Sequence, residues 1–285
     1  MRLLFLTLLL TITGAHALPV SDAVPGGIVL LPLGDAPQRP DVEFMDRKTT
    51  VIQNGDKEWV AIIGLPLSLE VGEHAAYLEN GKDKVPLNFA VNEKQYETQH
   101  LTIKNKRKVE PNKEDLDRIW AERKKKKKAL NTWEEVPPDL EFIIPVEGRT
   151  SSQFGLRRYF NGKPRNPHGG LDIAAPEGTP IHAPADGTVL LADDFFFSGN
   201  VVYLDHGQGV ITYYAHLQKH VVKAGDSVKK GDVIGLVGMT GRVTGPHLHW
   251  GVRIQGNNGG ANDAANGPCQ NLSLRVEGTD LPVVC

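Results

Sequence analysis

The sequence predicts a mainly β protein, with an antiparallel β-sheet domain at its C-terminal end, a small N-terminal β domain and a charged helical linker between them. Three observations predict this. Short β-prone runs alternate with turn pairs through most of the chain, 22 of the 30 glycines fall between Gly148 and Gly278, and one interval is dense in charge. A chain of 285 residues also suits about two domains of ~100–200 residues each. The expected units are a processing segment at 1–17, an N-terminal β accessory domain at 18–105, the linker at 106–140 and the C-terminal domain at 141–285.

Met1-Arg2, the apolar run 3–12 and the Ala15-His16-Ala17 end have the layout of a secretory signal peptide cleaved after Ala17. Ten apolar residues are too few for a bilayer core that needs ~20, so stable membrane insertion is not expected. Export brings an oxidising compartment, where Cys269 and Cys285 are expected to pair as a disulfide rather than remain as free thiols. In the chain-entropy model, closing a loop of that size is worth ~3 kcal/mol.

Within 18–105, residues 50–53 and 59–64 flank Asn54-Gly55, and residues 75–78 and 85–91 flank Asn80-Gly81. Asn-Gly between β-prone runs marks a hairpin, because both turn residues accept positive φ. His74 and His100 stand alone here and read as surface residues.

The linker carries an unbroken basic run from Arg123 through Lys128. Pro111-Asn112 begins a helix, Leu116, Ile119, Trp120 and Leu130 supply apolar spacing, and Pro137-Pro138 ends it. A solvated helix face whose positive charge suits the C-terminal dipole explains the lysines better than contact with an anionic polymer does. The 32 Lys+Arg against 34 Asp+Glu argue against a nucleic-acid partner.

In 141–285, the runs 181–183, 187–192, 201–204, 209–215 and 232–237 are separated by Pro/Gly/Asp turns about every ten residues, the spacing of a compact antiparallel β domain. Its chemistry lies in histidine spacing. His168-Gly169-Gly170-Leu171-Asp172 reads as a Gly-flanked extended segment, so the imidazole and the carboxylate face one side. His247-Leu248-His249 places two imidazoles at i and i+2, which share a face on a strand and diverge on a helix. Two imidazoles and a carboxylate, with a fourth position left to water, are a common catalytic zinc set. His216, in Tyr214-Ala215-His216-Leu217, makes the histidines outnumber the ligand positions. A surplus is what metal-assisted hydrolysis needs, because protons must leave the attacking water and reach the leaving amine. No HExxH, GxSxG or GxxxxGK[ST] motif competes.

The ordered blocks from His168-Gly169-Gly170-Leu171-Asp172 through Gly178-Thr179-Pro180 and Tyr214-Ala215-His216-Leu217 to Thr244-Gly245-Pro246-His247-Leu248-His249 resemble the lysostaphin/LytM-type zinc metalloendopeptidases. The resemblance covers about 142–254. It implies one zinc ion on His168, Asp172 and His249, and His216 and His247 as the catalytic pair. It further implies a peptidoglycan peptide as substrate, a DD-endopeptidase being the first choice, and a soluble periplasmic enzyme fits better than one secreted further. Arg157 and Tyr159, just upstream of the first ligand, are candidate substrate-binding residues. The competing class is a non-catalytic peptidoglycan-binding activator of another wall hydrolase. Such a protein would lack one or more of the five positions, and all five are present. No regulatory partner is identifiable from the sequence.

Overall fold

The computed structural model describes residues 18–55 and 57–254, and the backbone of 271–276 and 279–284. The signal-type segment 1–17 and both cysteines lie outside the described residues. Among these residues, no helix is long and apolar enough to cross a membrane.

The N-terminal region forms two small antiparallel sheets. One has the order β1 (Ile28–Asp35), β5 (Glu58–Gly64), β4 (Thr50–Asn54). The other runs β3 (Arg47–Lys48), β2 (Val42–Phe44), β6 (Gly72–Asn80), β7 (Asp83–Val91). Both expected hairpins are present, with the turn one residue later than Asn-Gly predicts. Asn80 is the last paired residue of β6, opposite Asp83, and Gly81 takes the positive φ of +66°. Only glycine enters that region at no steric cost.

A short strand, β8 (Thr98–Leu101), follows and then the helix α1 (Lys113–Leu130). Asn112 caps α1 in a reciprocal box with Asp115, as the Pro-Asn start predicts. The helix ends at Leu130 with Asn131 as its C-cap, well before Pro137-Pro138. Leu116 and Trp120 do not form the expected apolar face: they are exposed, while Ile119, Ala129 and Leu130 are buried. The basic run is not wholly solvated either. Lys125 pairs with Asp193 at 2.6 Å, Arg118 with Asp194 at 2.9 Å, and the Glu122 carboxylate accepts the Phe196 backbone N–H at 2.9 Å. The charged segment is therefore docked on the C-terminal region through ion pairs along one side, a pattern that apolar periodicity does not register.

The C-terminal region begins with β9 (Arg149–Ser152), β10 (Arg157–Phe160), β11 (Lys163–Pro164), β12 (Leu171–Ala174) and β13 (Pro180–His182). It continues with β14 (Gly187–Phe195), β15 (Gly199–Asp205), β16 (Val210–Leu217), β17 (Lys219–His220), β18 (Ser227–Val228), β19 (Val233–Leu236) and β20 (Leu248–Ile254). A seven-stranded sheet in the order β18-β14-β15-β16-β20-β12-β9 forms the floor, and β13-β19-β17 packs as a second sheet. Apart from the 271–276/279–284 hairpin, the remaining sheet joins the two halves of the chain: β8 pairs in parallel with β10, Gln99 opposite Arg158, and β11 completes it.

That seam continues in the core. Ile28, Ile52 and Ile62 belong to the same buried cluster as Phe142, Tyr214 and Trp250. Thr50 Oγ1 donates to the Gln208 carbonyl at 3.0 Å, and the Gln208 side-chain oxygen accepts from the Val51 N–H at 2.8 Å, with Gln208 fully buried. Each buried apolar side chain contributes ~1.5–3 kcal/mol relative to exposure, so the β1-β5-β4 sheet and the seven-stranded sheet support each other's stability.

Candidate metal centre

Two adjacent strands build the centre. Asp172 on β12 stands directly opposite His249 on β20, so their side chains rise from the same face of the sheet. His168 is not on a strand, contrary to the extended reading of 168–172: β12 begins at Leu171, and His168 enters from the preceding irregular segment. Gly170 makes this approach possible. A Cβ there would lie 2.5 Å from the Trp250 carbonyl oxygen and 2.8 Å from the His249 ring.

The three donor atoms are close together. His168 Nε2 is 2.9 Å from Asp172 Oδ1 and 3.0 Å from His249 Nδ1, and His249 Nδ1 is 2.7 Å from Asp172 Oδ1. His168 Nδ1 donates to the Gln153 carbonyl at 2.6 Å, which turns its Nε2 toward Asp172 and His249. The three atoms are placed to share one cation. Zinc bonds of ~2.0–2.1 Å in a tetrahedral set place donors roughly 3.3 Å apart, close to this triangle, and the donor set of two imidazoles and a carboxylate suits zinc. His168 and Asp172 are buried, and the His249 side chain is 14% exposed. Burial works against ionisation of Asp172, but its contacts with His168 and His249 outweigh it and hold the carboxyl well below its usual range. Burial lowers His249 to about 4, against the pull of Asp172, so its imidazole is neutral and available as a ligand at neutral pH.

His216 and His247 stand beside this triangle. Their rings lie 4.9 Å apart, and that of His216 is 6.0 Å from His249. His216 Nδ1 donates to the Thr240 carbonyl at 2.9 Å and His247 Nδ1 to the Gly245 carbonyl at 2.8 Å, so Nδ1 of each ring is engaged and Nε2 is the nitrogen left for chemistry. His216 owes its position to the backbone. Ala215 is the residue opposite His249, so strict alternation would send the next side chain to the other face. His216 instead takes φ +66°, a left-handed conformation that costs a non-glycine residue about 1–3 kcal/mol and turns the ring toward the cluster. Burial and the neighbouring imidazoles of His247 and His249 hold His216 well below its usual pKa.

Arg157 and Tyr159 are not brought to this cluster. The Arg157 Nε donates to the Tyr96 carbonyl at 3.1 Å, and Tyr159 stacks on His100 with ring centroids 4.8 Å apart. On a strand their common face is opposite to that of the residue between them, and that residue, Arg158, reaches the site. Arg158 Nη2 donates to Asp172 Oδ2 at 2.8 Å and to Ser152 Oγ at 3.0 Å. Its Nε donates to Gln99 Oε1 at 3.0 Å, and Gln99 Nε2 donates to Ser152 Oγ at 2.8 Å. Asp172 Oδ2 is thus held by Arg158, and Gln99, from the strand before α1, completes the shell behind it. Alternation parity within β10 is the sequence signal for Arg158; Gln99 has none, because its approach depends on the β8–β10 pairing. Tyr213 also belongs to the site: its hydroxyl donates to the Gly169 carbonyl and lies 3.4 Å from His249 Nε2.

Comparison with known proteins places this geometry in a family. The description Peptidase family M23 matches residues 166–261, and that of the Peptidase family M23 N-terminal domain matches residues 21–94. A crystal structure from Pseudomonas aeruginosa assigned to peptidase M23 is similar over 83% of this chain and 93% of its own, at 35% identity and a TM-score of 0.69. This chain belongs to peptidase family M23. Among curated relatives, the peptidoglycan DD-endopeptidase ShyA of Vibrio cholerae is 45% identical over 116 residues, 40% of this chain and 27% of that one. The DD-carboxypeptidase/endopeptidase Mpg of Neisseria meningitidis is 46% identical over 111 residues, 39% of this chain and 26% of that one. The chain therefore matches only about a quarter of the length of these curated relatives.

Proposed function

We propose that this M23 protein is an exported zinc endopeptidase that hydrolyses peptide bonds in bacterial peptidoglycan, with the DD crosslink as its target. One observation carries the reading: two imidazole nitrogens and a carboxylate oxygen converge within 3.0 Å of one another, and two more imidazoles stand alongside, each with Nδ1 held by a backbone carbonyl. The DD-endopeptidase names of the relatives support the substrate class.

In this reading His168, Asp172 and His249 hold one zinc ion, which when bound supplies Lewis acidity toward a water and the scissile carbonyl. Arg158 keeps Asp172 oriented. His216 and His247 handle the protons: their Nε2 atoms take one from the attacking water and deliver one to the departing amine. The resulting imidazolium also steadies the developing oxyanion, a contribution that reaches ~3–4 kcal/mol per donor in preorganised sites. The 1–17 segment directs export and is removed, the enzyme acts in the periplasm, and Cys269 pairs with Cys285.

The test is release of new amino groups from purified wall sacs. Activity abolished by a zinc chelator and restored by zinc is the expected result. His249→Ala is expected to lose both metal and hydrolysis, and His216→Ala to keep the metal and lose hydrolysis. A His216→Ala protein that cleaves crosslinked muropeptides at the wild-type rate would overturn the assignment.

A further inference from the structure

α1 and the C-terminal region line a cavity of about 710 Å³ that is open to solvent. Arg123 and Lys126 line it from the helix, and Arg165, Arg242 and Phe197 from the opposite side. Its one acidic lining residue, Glu122, is already engaged, with its carboxylate bound by the Phe196 N–H at 2.9 Å and by Arg118 Nε at 2.6 Å. The cavity wall is therefore rich in cations, with one carboxylate among its lining residues.

Arg242 is the most telling of these. Its guanidinium is held between the rings of Phe160 and Phe197, at 4.5 and 4.4 Å, and its polar contacts are a 3.4 Å approach to the Lys108 carbonyl and a backbone bond to Phe197. Burial, then Arg165 and Arg158, lower its pKa to about 10. Arg165 donates only to the carbonyls of Pro164 and Val109, at 2.8 and 3.0 Å. Among the described residues neither arginine has a carboxylate partner. Burying a guanidinium without a counter-charge is costly, and aromatic faces and carbonyls offset that only in part. Arg242, with the half-buried Arg165 on the same cavity wall, matches a carboxylate, for which the guanidinium fork is the best-fitting side chain.

Two of its lining residues belong to segments that hold the centre. Asn166, two residues before His168, lines it, as does Ser198, whose carbonyl accepts the His216 backbone N–H at 2.8 Å. Arg242 itself lies between Thr240, which holds His216, and His247. We propose that this cavity is an anionic subsite of the cleft, in which Arg242 and Arg165 bind a free carboxylate of an acidic peptide substrate. The proposal rests on the peptidase reading above and adds a selectivity to it: carboxylate-bearing peptides are preferred over their amidated forms, and α1 is a wall of the substrate cleft rather than a spacer.

The test is binding, so that it does not depend on turnover. The probes are a short peptide with two free carboxylates and the same peptide with both as carboxamides, each N-methylated at its peptide bonds to prevent cleavage. Affinity for the full-length, zinc-loaded protein is measured by calorimetry at low and moderate salt. The carboxylate form is expected to bind about tenfold more tightly, as one charge-assisted contact pair predicts. Arg165→Ala is expected to reduce that preference several-fold and Arg165→Ala/Arg242→Ala to bring it within twofold, with zinc stoichiometry unchanged. Arg242→Lys, which keeps charge and bulk, serves if the double variant does not fold, and is expected to lose part of the preference. Equal affinity for both forms in the wild-type protein, or no binding of either, overturns the subsite. Hydrolysis of wall sacs, measured separately, judges the peptidase reading.

Discussion

Arg158→Met removes the guanidinium from behind Asp172 while retaining most of the side-chain volume. In the native structure the bond to Asp172 Oδ2 is 2.8 Å long, between side chains only 15% and 8% exposed. Opposite charges ~4 Å apart interact by about 4 kcal/mol at an effective dielectric of 20, of which the desolvation of arginine cancels a large part. What remains for the metal is the effect typical of a partner that orients a ligand, a 10- to 100-fold change in affinity, or roughly 1.4–2.7 kcal/mol. Zinc affinity measured by competition with a chromophoric chelator, with circular dichroism confirming the fold, is expected to fall by that factor. Gln99→Ala acts on Asp172 only through Arg158 and Ser152, so it is expected to cost less alone and almost nothing added to Arg158→Met, a coupling that a double-mutant cycle reads directly. A folded Arg158→Met protein whose zinc affinity stays within twofold of wild type would refute the reasoning.

Three further outcomes are expected. Gly251→Ala is expected to lower thermal stability by about 1–3 kcal/mol and weaken zinc binding, because the new Cβ would lie 2.2 Å from the Tyr213 ring that abuts His249; an unchanged melting temperature would count against that packing. Asp205 is raised to about 6, chiefly by burial, so its folded-state penalty is full above pH 6 and vanishes below its unfolded value near 4. The stability of Asp205→Asn relative to wild type is therefore expected to drop by up to about 3 kcal/mol between pH 7 and pH 4, and a pH-independent difference in urea melts would contradict it. Glu122→Ala removes the acceptor of the Phe196 N–H and is expected to cost about 1–3 kcal/mol locally, seen as faster hydrogen exchange across α1 with the β-sheet unchanged.

Several elements were legible in the sequence for physical reasons. The strands of 181–237 show in their runs because apolar side chains must repeat with the pleat, and the N-terminal hairpins show in Asn-Gly because positive φ is nearly forbidden to other residues. Asn112 announced α1 through a local capping bond. The length of α1 was misread: the helix stops at Leu130 because of Asn131, not at the distant prolines. Its lysines read as solvated because an ion pair to a strand some 70 residues away, such as that of Lys125 with Asp193, leaves no local signature.

By itself, then, the sequence determined which side chains are available to the site, four histidines and one aspartate, and the local patterns that make the chain mainly β. Spacing fixes which side chains can meet within a strand, since that is a matter of pleat and period. Only the tertiary structure decided which do meet. It placed Asp172 opposite His249 through a ladder of paired strands, turned His216 inward by an αL backbone, and chose Arg158 over Arg157 and Tyr159 as the support for the centre. It also brought Gln99 and α1, from the first half of the chain, against a site formed by the second half. Those choices depend on contacts between residues far apart in the chain, whose closure entropy is offset by the core as a whole and by no local pattern.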